Sequence, residues 1–327
     1  MQCFDKEEAM SDKTKSYESM TDRERSDMWK EAIEKSLTEV QELRERLHPV
    51  AFTSPLWGEY RGAYDDALEQ VAFLFCPKEL VPDMGKIIRL DIAEKDDYRI
   101  NFDNLCENLS HQLSFYNATY LALPYLVLLL EKKRQAQDFE WQLLIIRETG
   151  IILSTDLPYE WKDRGEELPR EVWDSYQLSR EILRDMTKEF LRQHLERIKM
   201  ESQESLQHFI TALLAIFGDP GAAFQLAIGA WEQTPIECPE CDYYDEDMED
   251  GFYNEDLIKE KIEPAESVIG KWDGQSFEDT YLWFSNLAHE LGIEDEWKIP
   301  YYYGTYTCPQ CGKKGVLMEW MKDIALK

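Results

Sequence analysis

Apolar residues recur at three- and four-residue intervals along most of this chain, the spacing of helices that bury one face. Trp29, Ile33, Leu37, Val40, Leu43 and Leu47 form one such stripe, opened by the capping-box sequence Thr21-Asp-Arg-Glu24 and closed at His48-Pro49. A second helix is predicted over Tyr64–Phe75, stopping before Pro77. Residues 77–100 read as irregular, with room for a short strand at Lys86–Asp91. From His111 to Lys133 the chain is apolar nearly all round, which predicts a central helix covered by neighbours, and Pro124 is expected to bend or break it. Trp141–Ser154 predicts another apolar helix and Asp156–Pro169 a loop. Arg170–Ile198 predicts a long amphipathic helix carrying Val172, Tyr176, Leu183, Phe190 and Leu191. Leu206–Phe217 and Ala222–Trp231 predict two shorter helices across the turn sequence Gly218-Asp219-Pro220-Gly221.

Helix follows helix with short breaks and little period-two alternation, so the fold class is mainly α: antiparallel helix pairs stacked as a small solenoid or bundle. After Trp231 the pattern changes. Two Cys-x-x-Cys pairs, a dense acidic tract, one helix near Ser276–Leu291 and aromatic stretches at Tyr301–Tyr306 and Gly315–Trp320 predict a small C-terminal element with short strands. The organisation read from this is a flexible tail over 1–22, a helical-repeat domain over 23–232, and a metal-binding element with an acidic insertion over 233–327.

Cys238-Pro-Glu-Cys241 and Cys308-Pro-Gln-Cys311-Gly312 each have the form of a tight turn presenting two sulfurs to one point, and Gly312 lets the chain turn back. Four thiolates complete a tetrahedral site, so one structural Zn2+ per chain is expected on Cys238, Cys241, Cys308 and Cys311, with no open position for chemistry. Redox-active pairs open a helix beside a βαβ unit, and neither pair does so. The 66 residues between Cys241 and Cys308 make the site an expanded zinc ribbon whose insertion carries its own helix. Cys3, Cys76 and Cys106 read as a tail residue and two small core residues.

Charge adds a partner class. The chain has 66 Asp and Glu against 36 Lys and Arg, a net charge of -30. Such a surface repels phosphate backbones and anionic membranes, which excludes nucleic acid and membrane partners and leaves a basic protein as the partner it would steer. Glu237 to Asp256 holds ten acidic residues and no Lys or Arg, interleaved with aromatics. Asp242, Tyr243, Tyr244, Asp245, Glu246, Asp247, Glu249 and Asp250 are the candidate partner-binding residues, since Tyr among carboxylates suits an interface that receives Lys and Arg. A calcium loop counted from Asp245 fails at Asp250, where Gly is needed, and at Asp256, where Glu is needed. The N-terminus has no apolar secretory core, and the longest apolar run, Tyr120–Leu130, is far below the ~20 residues that span a bilayer, so a cytoplasmic location is expected.

No phosphate loop, nucleophile elbow or His-Glu-x-x-His motif is present. The best polar cluster beside an apolar helix is His111, Gln112 and Tyr116, with Cys106 nearby. It is the candidate for an enzymatic alternative; a His at a helix entrance more often serves as a hydrogen-bonded structural group.

His111-Gln112, Ser114, Tyr116, Ala118-Thr119 and Ala122-Leu-Pro-Tyr125-Leu126 together resemble a recurring segment of bacterial HEAT-like helical-repeat proteins, which reads His-Gln-Gly-Thr-x-Tyr-x-Ala-Thr and then Ala-x-Pro-Phe-Leu. Leu113-Ser114 stands here for Gly-Thr. Leu56-Trp57, Tyr60, Ala63 and the Ala212–Ala223 stretch fit the same layout. The resemblance implies a HEAT-like fold with protein binding through a concave helical face, and some proteins of this type resemble immunity proteins of polymorphic toxin systems. Together with the acidity it implies a non-enzymatic immunity protein that neutralises a basic toxin domain. A general adaptor or scaffold, or an enzyme using the His111 region, are the alternatives.

Overall fold

A computed structural model describes residues 21–64, 67–76, 97–156, 168–232, 236–248, 254–266, 270, 272 and 276–325. The helices are α1 (Asp22–Leu37), α2 (Gln41–Leu47), α3 (Leu56–Glu59), α4 (Leu68–Phe73), α5 (Asp97–Ser110), α6 (Ala118–Gln135), α7 (Phe139–Ser154), α8 (Arg170–Ile198), α9 (Gln203–Phe217), α10 (Pro220–Ile228), α11 (Glu255–Lys261), α12 (Thr280–Leu291), α13 (Ile299–Tyr302) and α14 (Leu317–Ala325). The strands β1 (Ile262–Glu263), β2 (Thr305–Thr307) and β3 (Lys314–Val316) form one antiparallel sheet in that order. Among the described residues no helix is long and apolar enough to cross a membrane.

Most helices stand where periodicity places them, and α8 has the bounds read from its stripe. Asp138, Ser202, Asp219 and Asp279 cap α7, α9, α10 and α12 by accepting backbone N–H groups, so each start is fixed by local chemistry. Five expectations are corrected. The helix expected from His111 begins only at Ala118, because Gln112 and Leu113 take positive φ, and the one expected over Tyr64–Phe75 spans Leu68–Phe73. The stripe from Trp29 to Leu47 is two helices, because Thr38–Val40 tightens into a 3-10 turn and Val40 leaves helical geometry (φ -121°, ψ 29°). Asp97–Ser110 is helical where residues up to 100 read as irregular; Phe102, Leu105, Cys106 and Leu109 are its buried stripe. Pro124 does not break α6, whose residues Ala118 to Leu130 are all buried, so surrounding packing holds the helix across the missing backbone bond. The expected strand at Lys86–Asp91, most of the loop after Asp156 and the tail up to residue 20 lie outside the described residues.

The short connections Ala136–Asp138 and Lys199–Ser202 make α6/α7 and α8/α9 antiparallel pairs. Between the pairs, α6 contacts α8 and α7 contacts α9. The second contact is a close approach of two helices. A Cβ on Gly150 of α7 would lie 2.5 Å from Ala212 Cβ of α9, so only the missing side chain lets the helices meet. The chain after α2 folds back on α6, where Phe52 stacks on Tyr125 at 4.4 Å and the Tyr125 hydroxyl donates to the Val50 carbonyl.

The core continues across residue 232 into the C-terminal element as one cluster of buried residues. There α14 packs on α10, with the buried Gln225 amide donating to the Met321 carbonyl at 2.8 Å and Lys322 paired to Asp219 at 2.9 Å. Gln203 donates to Gly292 O and accepts from Glu294 N, and the buried Lys298 ammonium donates to Trp231 O. These bonds satisfy backbone groups on both sides of the seam and hold the cysteine pairs at the edge of the helical body.

Candidate metal centre

The two knuckles are built alike. In the first, Cys238 N–H donates to Tyr243 O and Asp242 N–H to Cys238 O; in the second, Cys308 N–H donates to Lys313 O and Gly312 N–H to Cys308 O. Each needs a residue with positive φ just after its second cysteine. Gly312 supplies it at 76° and Asp242 at 54°. Gly is the cheapest residue there and Asp among the better tolerated, which explains a signal that was visible at Gly312 and invisible at Asp242.

β2 and β3 flank the second knuckle, with Thr307 opposite Lys314 closing the loop that carries Cys308 and Cys311. The expected strands at Tyr301–Tyr306 and Gly315–Trp320 are shorter than their aromatic runs, because Tyr301–Tyr302 belongs to α13 and Leu317 opens α14. Gly315 sits under the Trp320 ring, where a Cβ would lie 2.1 Å from the indole nitrogen. β1 had no sequence signal, being two residues long.

The ligand atoms of Cys238, Cys241, Cys308 and Cys311 all lie within 4.8 Å of one another. Cys238 and Cys311 sulfurs are 3.6 Å apart and Cys241 and Cys308 sulfurs 3.7 Å. All four are free thiols and far from disulfide length. A tetrahedron with metal–sulfur bonds of about 2.3 Å has edges of about 3.8 Å, so the spacing is compatible with a single four-coordinate ion. Burial pushes the Cys241 thiol up to about 12. Burial acts on Cys308 in the same sense, but backbone N–H groups of Cys311 and Gln310 turned to its sulfur outweigh it and bring it down to about 7. Cys76 and Cys106 are buried core thiols, as expected.

The acidic tract divides into an inner and an outer set. Asp245 is buried at 1% exposure, accepts from Tyr306 at 2.5 Å and pairs with Lys261 at 2.7 Å, so it is a strut and no part of a partner surface. Burial opposes the Lys261 charge, but the carboxylates of Asp245 and Asp247 outweigh it and raise its pKa. Burial and the Asp245 carboxylate both keep the Tyr306 phenol protonated. Asp242, Tyr244, Glu246 and Asp247 are exposed, and Tyr243 is half-buried. Glu249 and Asp250 lie outside the described residues. Lys261 and Tyr306 are the positioning residues that sequence reasoning missed; the two lysines Lys259 and Lys261 just after an acidic run were the available signal.

His111, Gln112 and Tyr116 sit at the turn between α5 and α6. His111 Nδ1 contacts Glu107 and lies 2.7 Å from the Tyr64 hydroxyl, whose pKa is raised by burial and by Glu107. Gln112 and Leu113 both have positive φ, 52° and 53°. Cys106 does not join this group: it is buried, and burial followed by the charges of Glu148 and Asp103 drives its thiol pKa well up. Glu107 and Tyr64 are the members not foreseen. No protein-family model, curated protein or solved structure matches this chain.

Proposed function

We propose that this chain is a non-enzymatic protein-binding protein whose C-terminal element is closed by one structural Zn2+ and whose acidic surface receives a basic protein. The observation that carries the reading is the division of the acidic tract. Asp245 is anchored to Tyr306 and Lys261 inside, while Asp242, Tyr244, Glu246 and Asp247 stand exposed on the same short segment. A knuckle at one end and a buried ion pair in the middle pre-organise the ledge, which lowers the ordering cost of binding. Four thiolates fill the metal's coordination sphere, so the ion holds structure and does no chemistry.

The stacked pairs α6/α7 and α8/α9 fit a HEAT-like reading, and one detail favours it further. Leu113 has φ 53° where the resembling segment has Gly, the residue that conformation suits best. On that reading the partner class is a basic toxin domain and the chain its immunity protein; an adaptor for another basic protein uses the same surface.

The test is a pull-down with tagged protein from a lysate of the source organism at low and high salt, the bound proteins being identified by mass spectrometry. A stoichiometric basic partner released by salt, and lost when Glu246 and Asp247 are changed to Lys, is expected. A partner that is neither basic nor released by salt overturns the reading. A second reading, an enzyme acting at His111, draws on the paired positive-φ residues beside the Glu107, His111 and Tyr64 side chains. Loss of a substrate turnover in a folded His111→Gln variant would select it.

A further inference from the structure

A groove of about 790 Å³ runs between α2, the C-terminal end of α6 and α8. It exists because Val40 leaves helical geometry, so that α2 departs from the line of α1. One stripe of α8 faces it: Ile182, Asp185, Met186 and Glu189, spaced three and four residues apart along about 10 Å of helix. Leu43 of α2 completes an apolar floor with the half-buried Ile182 and Met186. The lining holds five carboxylates against two guanidiniums. Among the described residues Glu42 has no cationic partner; Asp185, 80% exposed on the rim, pairs with Lys188 at 3.7 Å and Glu39 with Lys132 at 3.0 Å, which leaves the lining with one carboxylate in excess.

We infer that this groove docks an amphipathic basic helix of the protein partner, an inference that rests on the reading of the chain as a binder of basic proteins. A two-turn contact places two apolar side chains of the guest, one turn apart, on Leu43, Ile182 and Met186. Lys or Arg on one side of that stripe reaches Glu42, and on the other competes with Lys188 for the exposed Asp185. The occupant is a helix because the walls are helices and the floor repeats at helical spacing; it is basic because the lining is net negative. Met186 adds an adaptable surface that accepts varied apolar side chains.

The probe is a fluorescein-labelled peptide of roughly 14 residues with Leu and Lys at helical spacing, compared by anisotropy with a scrambled peptide of the same composition. Met186→Asp separates docking from plain charge attraction, because it adds a negative charge while removing the apolar floor. Asp185→Lys, at an 80% exposed position where substitution costs little stability, is the second variant. Both are expected to weaken the amphipathic peptide by about tenfold or more, with the scrambled peptide weaker throughout and Glu246→Lys/Asp247→Lys having a smaller effect. Equal binding of the two peptides, or undiminished binding to Met186→Asp, overturns the groove and leaves the acidic ledge as the basic-partner site. Absence of any salt-sensitive binding of either peptide overturns the groove and the reading beneath it together.

Discussion

Tyr306 and Asp245 join the two cysteine knuckles: the phenol on β2, two residues before Cys308, donates at 2.5 Å to a carboxylate four residues after Cys241. Lys261, at the end of α11, closes the triangle on the same carboxylate. Removing Asp245 leaves two donors without their acceptor in a covered site, although Asp247 still reaches Lys261. Asp245→Ala is expected to destabilise the C-terminal element by about 2–3 kcal/mol and Tyr306→Phe by about 1 kcal/mol, read from urea unfolding followed by tryptophan fluorescence. Equal stability of Asp245→Ala and wild type would remove the strut role.

The metal proposal makes a separable prediction. Elemental analysis of purified protein should give one zinc per chain, and Cys308→Ser should lose it. Hydrogen exchange should then speed up over 236–248 and 305–325 while α7 and α9 stay protected, because structural zinc binding is itself folding free energy. Protein that lacks metal and keeps full protection around both knuckles contradicts the assignment.

Gly150 tests the close contact of α7 with α9. Alanine there improves helix propensity by about 1 kcal/mol, yet its methyl would meet Ala212 Cβ at 2.5 Å and the Ala212 carbonyl at 2.6 Å. Overpacking wins, since the neighbour on one side is backbone, and Gly150→Ala is expected to cost about 1–3 kcal/mol. Ala212→Gly in the same chain should recover only part of the loss, a coupling that a double-mutant cycle measures.

His194 predicts an acid sensitivity. Its ring lies against Phe139 and Phe190, and burial first, then the Arg197 charge, lowers its pKa below 6.5. The unfolded chain therefore takes up this proton before the folded one, so stability falls as pH drops through about 6.5. Between about pH 7.5 and about pH 5.5 wild type should lose more stability than His194→Gln. Parallel losses in the two proteins would show that this histidine is not responsible.

Leu113 isolates a backbone effect. With φ at 53°, glycine at this position should be more stable than alanine by about 1 kcal/mol, because both lack the leucine side chain and differ in tolerance of the left-handed region. Thermal unfolding of Leu113→Gly and Leu113→Ala gives the comparison directly. The reverse order would mean that the turn relaxes in solution.

What the sequence determined by itself is local. α8 was readable to its ends because an amphipathic stripe and a Pro before its first residue act within a few turns. The cysteine knuckles were readable because a two-residue spacing presents both sulfurs from one turn. The α5 helix was readable in principle from Phe102, Leu105, Cys106 and Leu109, but its polar faces obscured the stripe. Tertiary structure decided the rest, because those outcomes depend on residues far apart in the chain. Pro124 lies within an unbroken helix through packing on every side. Asp245 became a strut and Asp247 stayed outside through the placing of Tyr306, 61 positions away. Gly150 meets Ala212 only when α7 and α9 stack, and the groove beside Met186 exists only where α2, α6 and α8 diverge.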